Sequence, residues 1–165
     1  MTSEDNASAL AALRPEDRVV VRSLVGGLRS GARVPIFFVC GRNDAVGPVV
    51  DAVVSATGAE RVNLADWIGR SADVGWRRPD EILPHAVGEI GRSPGGVVVL
   101  DDAQPVARTT AGWSFTSLRA VLLRKVSRPV VLVFRAEGCD QLKETLEGDG
   151  RRRVFVVGAR GGRET

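Results

Sequence analysis

Two adjacent carboxylates close an apolar run, Gly96-Val97-Val98-Val99-Leu100-Asp101-Asp102-Ala103. Such a run reads as a buried strand that delivers acids to the edge of a sheet. There Asp101 has the chemistry to coordinate Mg²⁺, and Asp102 to orient an attacking water as the catalytic carboxylate. The plainer reading is a strand that ends in solvated acids, with Asp102-Ala103-Gln104-Pro105 forming a turn. About sixty residues earlier, Val39-Cys40-Gly41-Arg42-Asn43-Asp44-Ala45-Val46-Gly47-Pro48 has the layout of a strand, a Gly-containing turn and a helix. Backbone N–H groups in such a turn can cradle an anion, which makes Gly41, Arg42, Asn43 and Gly47 the candidate nucleotide-binding residues. Three features oppose it. No Lys follows Gly47, Pro48 removes a donor, and Asp44 would repel phosphate.

The elements that would position these residues alternate. Pro15-Glu16-Asp17 opens a helix, since Pro suits the first turn and acids favour its positive end. Val19, Val20, Leu24, Val25 and Leu28 continue it at helical spacing up to Gly31. Strands are expected at Val34–Cys40, Glu60–Leu64, Gly96–Leu100, Pro129–Phe134 and Arg153–Val157. Helices are expected at Gly47–Thr57, Pro79–Arg92, Trp113–Lys125 and Cys139–Leu146. The alternation predicts an α/β three-layer sandwich with about five mostly parallel strands, and the Val-rich runs fit strands buried on both faces. The crevice of such a sheet lies beyond the carboxyl ends of its strands, where Gly41, Asp101, Asp102 and Arg135 all fall.

The order of these parts resembles the α/β subdomain of AAA+ ATPases, a P-loop NTPase fold, and most nearly the branch of red-type Rubisco activases and type VII secretion ATPases. The likeness spans roughly Val34 to Val157. Gly41 to Gly47 stands where that family has its phosphate loop, and Gly96 to Ala103 is similar to its second nucleotide motif. Leu64-Ala65-Asp66-Trp67-Ile68-Gly69 is similar to its aromatic–aliphatic–Gly pore loop, and Arg151-Arg152-Arg153 to its arginine-finger corner. The departures are equally specific. Five residues rather than four separate Gly41 from Gly47, and Pro48 and Val49 take the Lys and Ser/Thr positions. Asp102 replaces Glu, Arg135-Ala136-Glu137 replaces the polar sensor, and the family's helical lid is not seen before Thr165. The resemblance therefore implies a scaffold without its phosphate grip and without its means of coupling hydrolysis to motion.

Partner contacts are expected at Trp67 and Ile68, at Trp76 with Arg77, and at Arg152. The two tryptophans offer aromatic surface beside cations. Each has a plainer reading as well: indoles packed on the sheet edge, and arginines guarding an edge strand. His85, the single histidine, has no nucleophile or second His spaced to suggest catalysis.

A chain of 165 residues with a net charge of +3 forms one domain and does not by itself call for nucleic acid, because acids and bases are interleaved. The expected division is a flexible segment at 1–14, the α/β domain at 15–158 and a disordered tail at 159–165. Cys40 and Cys139 have no metal spacing. They read as buried small hydrophobes in a reducing cytoplasm, with a disulfide poorly motivated. No membrane-spanning run is visible. The leading expectation is a non-hydrolysing, AAA+-like module that binds a protein partner or its own copies, with no cofactor. The alternatives are a minimal ATPase using ATP and Mg²⁺ through Asp101 and Asp102, and an accessory nucleic-acid binder using the Arg-rich end.

Overall fold

The computed structural model describes residues 9–71 and 77–158. Its elements in chain order are α1 (Pro15–Arg29), β1 (Ile36–Gly41), α2 (Asn43–Thr57), β2 (Glu60–Asn63), α3 (Leu64–Arg70), α4 (Pro79–Arg92) and β3 (Val98–Asp101). After a 3₁₀ turn at Gln104–Val106 come a small hairpin, β4 (Arg108–Thr109) and β5 (Gly112–Trp113), then α5 (Phe115–Leu122), β6 (Val130–Arg135), α6 (Cys139–Leu146) and β7 (Val154–Val157).

The five main strands form one parallel sheet in the order β2-β3-β6-β1-β7. Parallel neighbours need crossovers, and the helices that make them cover both faces. β1, β3 and β6 are accordingly buried almost throughout. Strand alternation divides the core in two. Ile36, Phe38, Cys40, Val98, Leu100, Leu132 and Phe134 face a layer with Leu83 and Val87 of α4, Leu118 of α5 and Leu142 of α6. Phe37, Val39, Val99, Val131, Val133 and Phe155 face Leu24 and Leu28 of α1 and Val49, Val50 and Val53 of α2. The expected three-layer α/β architecture with five strands is what forms.

Helix starts at Pro15 and Pro79 follow the expectation, each with Pro at the first position and two acids in the first turn. Four local differences have physical causes. Helix α2 begins at Asn43, not Gly47, so the expected phosphate loop is instead the helix's first turn; the N–H groups of Ala45 and Val46 donate to the Arg42 carbonyl. Pro48 is held inside this helix on its exposed side. The segment after β2 is helical because Asn63 caps it, accepting the Asp66 N–H at 3.0 Å. Residues 9–13, expected in a flexible segment, instead pack: Leu13 is buried in the α1/α2 core and Leu10 lies against it.

The fourth difference concerns the cysteines. Cys40 and Cys139 are joined in a disulfide across 99 positions, with Cα atoms 5.7 Å apart. β6 pairs in register with β1, setting Cys40 beside Phe134, and the turn at Gly138 (φ +81°) brings the start of α6 back over the end of β1. That neighbourhood belongs to the sheet order, which spacing along the chain does not encode. Among the described residues, no helix is long and apolar enough to cross a membrane.

Candidate functional site at the carboxyl ends of the strands

β1 lies at the point where the sheet order turns: the chain goes from β1 out to the β2 edge, returns through β3 and β6, and finishes on the far side of β1. Crevices form outside the carboxyl ends at such a point. There β3 ends at Asp101, β6 at Arg135 and β1 at Gly41, with the first turn of α2 above them.

The structure brings Asp101, Asp102, Asn43 and Arg135 together around the Arg135 guanidinium. Its Nε and Nη2 donate to Asp101 Oδ1 and Oδ2 at 3.0 and 2.8 Å. Its Nη1 donates to Asn43 Oδ1 at 2.7 Å, and Nε lies 3.5 Å from Asp102 Oδ1. This bidentate fork is the strong form of an Arg–carboxylate pair. The fork is only 17 % exposed on the Arg135 side chain and 12 % on that of Asp101, so water screens it weakly. Arg61 adds a second cation 3.5 Å from Asp101, and itself bonds Asp51. Burial alone would raise the Asp101 pKa, but the Arg135 hydrogen bonds, the Asp102 N–H and the two positive charges outweigh it and hold the group below the usual carboxylate range. The same contact with Asp101 raises the pKa of Arg135.

Asp102 has φ +55°, in the left-handed region. A short polar side chain tolerates this better than most. Its N–H donates to Asp101 Oδ1 at 2.8 Å, and its Oδ2 accepts from Asn63 Nδ2 at 2.9 Å. Asn63 thus caps α3 and holds Asp102 at once. Gln104 completes the ring by accepting the Arg135 N–H at 3.0 Å.

The remaining candidates are dispersed. Gly41 is a strand residue whose Cβ would sit 2.6 Å from the Val157 carbonyl oxygen, so its lack of a side chain permits the close approach of β7. Gly47 lies inside α2, where a Cβ would stand 3.8 Å from Arg135 Nη1. Arg42 is exposed and pairs with Asp44 at 3.2 Å. Trp67 is half-buried, its ring 6.3 Å from that of His85, and Ile68 also packs on the core. Arg77 is exposed, whereas Trp76 lies outside the described residues. Arg152 donates to Ser23 Oγ at 2.9 Å and stacks on Phe155 at 4.9 Å, and Arg153 forks onto Asp149 at 2.7 and 2.8 Å.

Nothing in the sequence singles out Arg61, Asn63 or Gln104 for this site, and Arg135 stands there only as a strand-end residue in the place of the polar sensor. The available signal was a lone arginine ending one buried strand and two acids ending another. Recognising them as a pair required knowing that β3 and β6 are neighbours. No protein-family model and no curated protein matches this chain.

Proposed function

We propose that the chain is a non-hydrolysing, AAA+-like binding or assembly module, and that Arg135 occupies the place where a nucleotide-hydrolysing relative would hold its cation. The supporting observation is the Arg135 fork across both oxygens of Asp101, extended to Asp102 and Asn43. A guanidinium tethered to β6 offsets part of the acids' charge with fixed geometry, and its donors occupy the Asp101 oxygens that a divalent ion would need.

The residues present fit a Mg²⁺–nucleotide poorly in this arrangement. Asp101 has both oxygens engaged, Ala45 and Val46 turn their N–H groups into the helix, and no lysine stands beside the first turn of α2. No catalytic step is therefore assigned to Asp102. Its role is to bridge α3, through Asn63, to the Arg135 cluster. Contacts with a protein partner are assigned to the half-buried Trp67 and Ile68 of α3 and to the exposed Arg77. Arg152 and Arg153, committed to Ser23, Phe155 and Asp149, favour this reading over nucleic-acid binding through the Arg-rich end.

Titration calorimetry of the intact chain with ATP and Mg²⁺, beside Asp101→Ala, tests the proposal. No heat at millimolar nucleotide is expected. Saturable binding that weakens in Asp101→Ala would replace it with the minimal-ATPase alternative. Sedimentation of the chain, alone and with Trp67→Ala and Arg77→Glu, tests the assembly half; a concentration-independent monomer in every case would count against self-association.

A further inference from the structure

The disulfide joins two elements that meet at the candidate site. Cys40 is the penultimate residue of β1 and wholly buried, whereas Cys139 opens α6 and is 9 % exposed. Cys139 also lines a cleft of about 310 Å³ with Gly41, Arg42, Gly138, Asp140 and Val157. The two cysteines are therefore unequal: Cys139 borders the cleft, whereas Cys40 lies behind it in the core. A thiolate on Cys139 would sit at the first turn of an eight-residue helix, whose N–H groups favour negative charge. Facing it around the cleft are one cation, Arg42, and two acids, Glu137 and Asp140.

A second observation concerns the reduced state. The Ala136 carbonyl oxygen lies 3.4 Å from Cys139 Sγ and 3.8 Å from Cys40 Sγ. Both thiols would have a common acceptor already in place, so breaking the bond strands no buried donor. The segment between the bond and the site is short. Arg135 is followed by Ala136, Glu137 and Gly138, and then by Cys139. Apart from the disulfide, this segment is held by the Ala136 N–H donating to the Gly41 carbonyl at 2.9 Å and, from the hairpin, by Trp113 Nε1 donating to the Gly138 carbonyl at 3.0 Å and Arg108 Nη1 to the Glu137 carbonyl at 3.2 Å.

We propose that Cys40–Cys139 is a reversible thiol–disulfide exchange site whose substrate is a dithiol reductant, and that its state sets how firmly residues 136–139 hold Arg135 against Asp101 and Asp102. One thiolate of the dithiol attacks Cys139 Sγ. The Cys40–Cys139 bond breaks, and Cys40 leaves as a thiolate that takes up a proton. The second thiolate of the dithiol then attacks its own sulfur in the mixed disulfide, closing a cyclic disulfide and releasing Cys139, which takes up the second proton. Two electrons and two protons pass to the protein. Reduction leaves the sheet intact and frees the start of α6 to pivot at Gly138.

The test uses the intact chain under native conditions with dithiothreitol as the probe. Alkylation and mass measurement count the thiols, and hydrogen exchange reads each segment. The expected result is full reduction without unfolding, with exchange in residues 136–142 rising at least tenfold, exchange at Arg135 rising with it, and exchange in Val98–Leu100 and Val130–Phe134 unchanged. Cys139→Ser should show the faster exchange with or without dithiothreitol. Three results would overturn the proposal: two free thiols in the oxidised preparation, a bond that yields only when the whole chain unfolds, or reduction that leaves exchange at 136–142 unaltered. The wild-type arm decides the matter even if the variant fails to fold.

Discussion

Two arginines bracket β6, and they do different things. Arg128, two residues before the strand, is 4 % exposed and staples the amino end of the sheet. It donates to the Gly96 carbonyl at 2.8 Å, to Ser93 Oγ at 3.1 Å and to Glu60 at 2.8 Å. Glu60 is largely exposed, so Arg128 works mainly by satisfying backbone and hydroxyl acceptors between α4, β2 and β3. Arg135, at the opposite end of the same strand, faces two acids and an amide. Its partners are groups that would otherwise seek a cation. The buried arginine is a staple, whereas the half-covered one is a counter-ion. The difference follows from the groups that converge at each end: Asp101, Asp102 and Asn43 at the carboxyl edge, and the Gly96 carbonyl, the Ser93 hydroxyl and Glu60 at the amino edge.

The sharpest way to break this comparison is to remove the counter-ion. Arg135→Met should destabilise the fold by roughly 3 kcal/mol, the scale for stripping one partner from a covered ion pair, because Asp101 and Asp102 then face each other with only Arg61 nearby. Urea denaturation measures that loss. The same melts in millimolar Mg²⁺ or Ca²⁺ should recover part of it in Arg135→Met and none in the wild type, since the exposed acids would accept a hard cation. A variant that melts like the wild type, or gains nothing from either ion, would show that Arg135 is not acting as a counter-ion.

The same contrast explains what the sequence could and could not convey. β1, β3 and β6 are legible because each is a valine-rich run short enough for a strand and buried on both faces. α1 and α4 are legible from Pro15 and Pro79 with acids behind them. The start of α2 is not legible because Gly47-Pro48 reads as punctuation, although a helix can carry Pro on its solvent side. Half of the site was also legible, since the Asp101-Asp102 pair is contiguous. The other half was not. Arg135, Asn63 and Gln104 reach the acids through strand adjacency and a helix cap, as Cys139 reaches Cys40 through the register of β6 on β1. Periodicity reports which face of an element is buried, and the order of strands in a sheet lies beyond it.

Removing the staple should cost less than removing the counter-ion. Arg128→Met keeps much of the apolar stem and forfeits three hydrogen bonds, one of them to a well-exposed carboxylate, for an expected loss of about 2 kcal/mol. Divalent ions should not restore it, because Glu60 alone is no cation site. Acid then separates the two ends of β6. Asp101 has a folded pKa below its unfolded value, so its contribution is complete above the ordinary carboxylate range and is lost as pH falls through the depressed folded value. Arg128 has no such partner in the core. Stability measured from pH 7 down to about pH 2 should therefore fall more steeply in wild type and Arg128→Met than in Asp101→Asn. Parallel profiles in all three would place the acid sensitivity elsewhere.

Glu147 offers a control in which the carboxylate is the staple. Its Oε2 accepts the N–H groups of Arg153 and Val154 at 2.7 Å each, and Oε1 meets Lys143 at 2.6 Å, tying α6 to the first residue of β7. Burial raises its pKa, but the Lys143 hydrogen bond and the two backbone donors more than reverse this, so the group is held below its usual range. Glu147→Gln retains one acceptor oxygen and the shape while losing the charge. The expected loss is about 1 kcal/mol, the smallest of the set, visible in urea melts and as faster exchange confined to β7. The effect should shrink as pH falls through the depressed folded value, where the wild-type carboxyl itself becomes neutral. If Glu147→Gln instead matched Arg135→Met, charge at any strand end would matter equally, and the distinction between staple and counter-ion would fail.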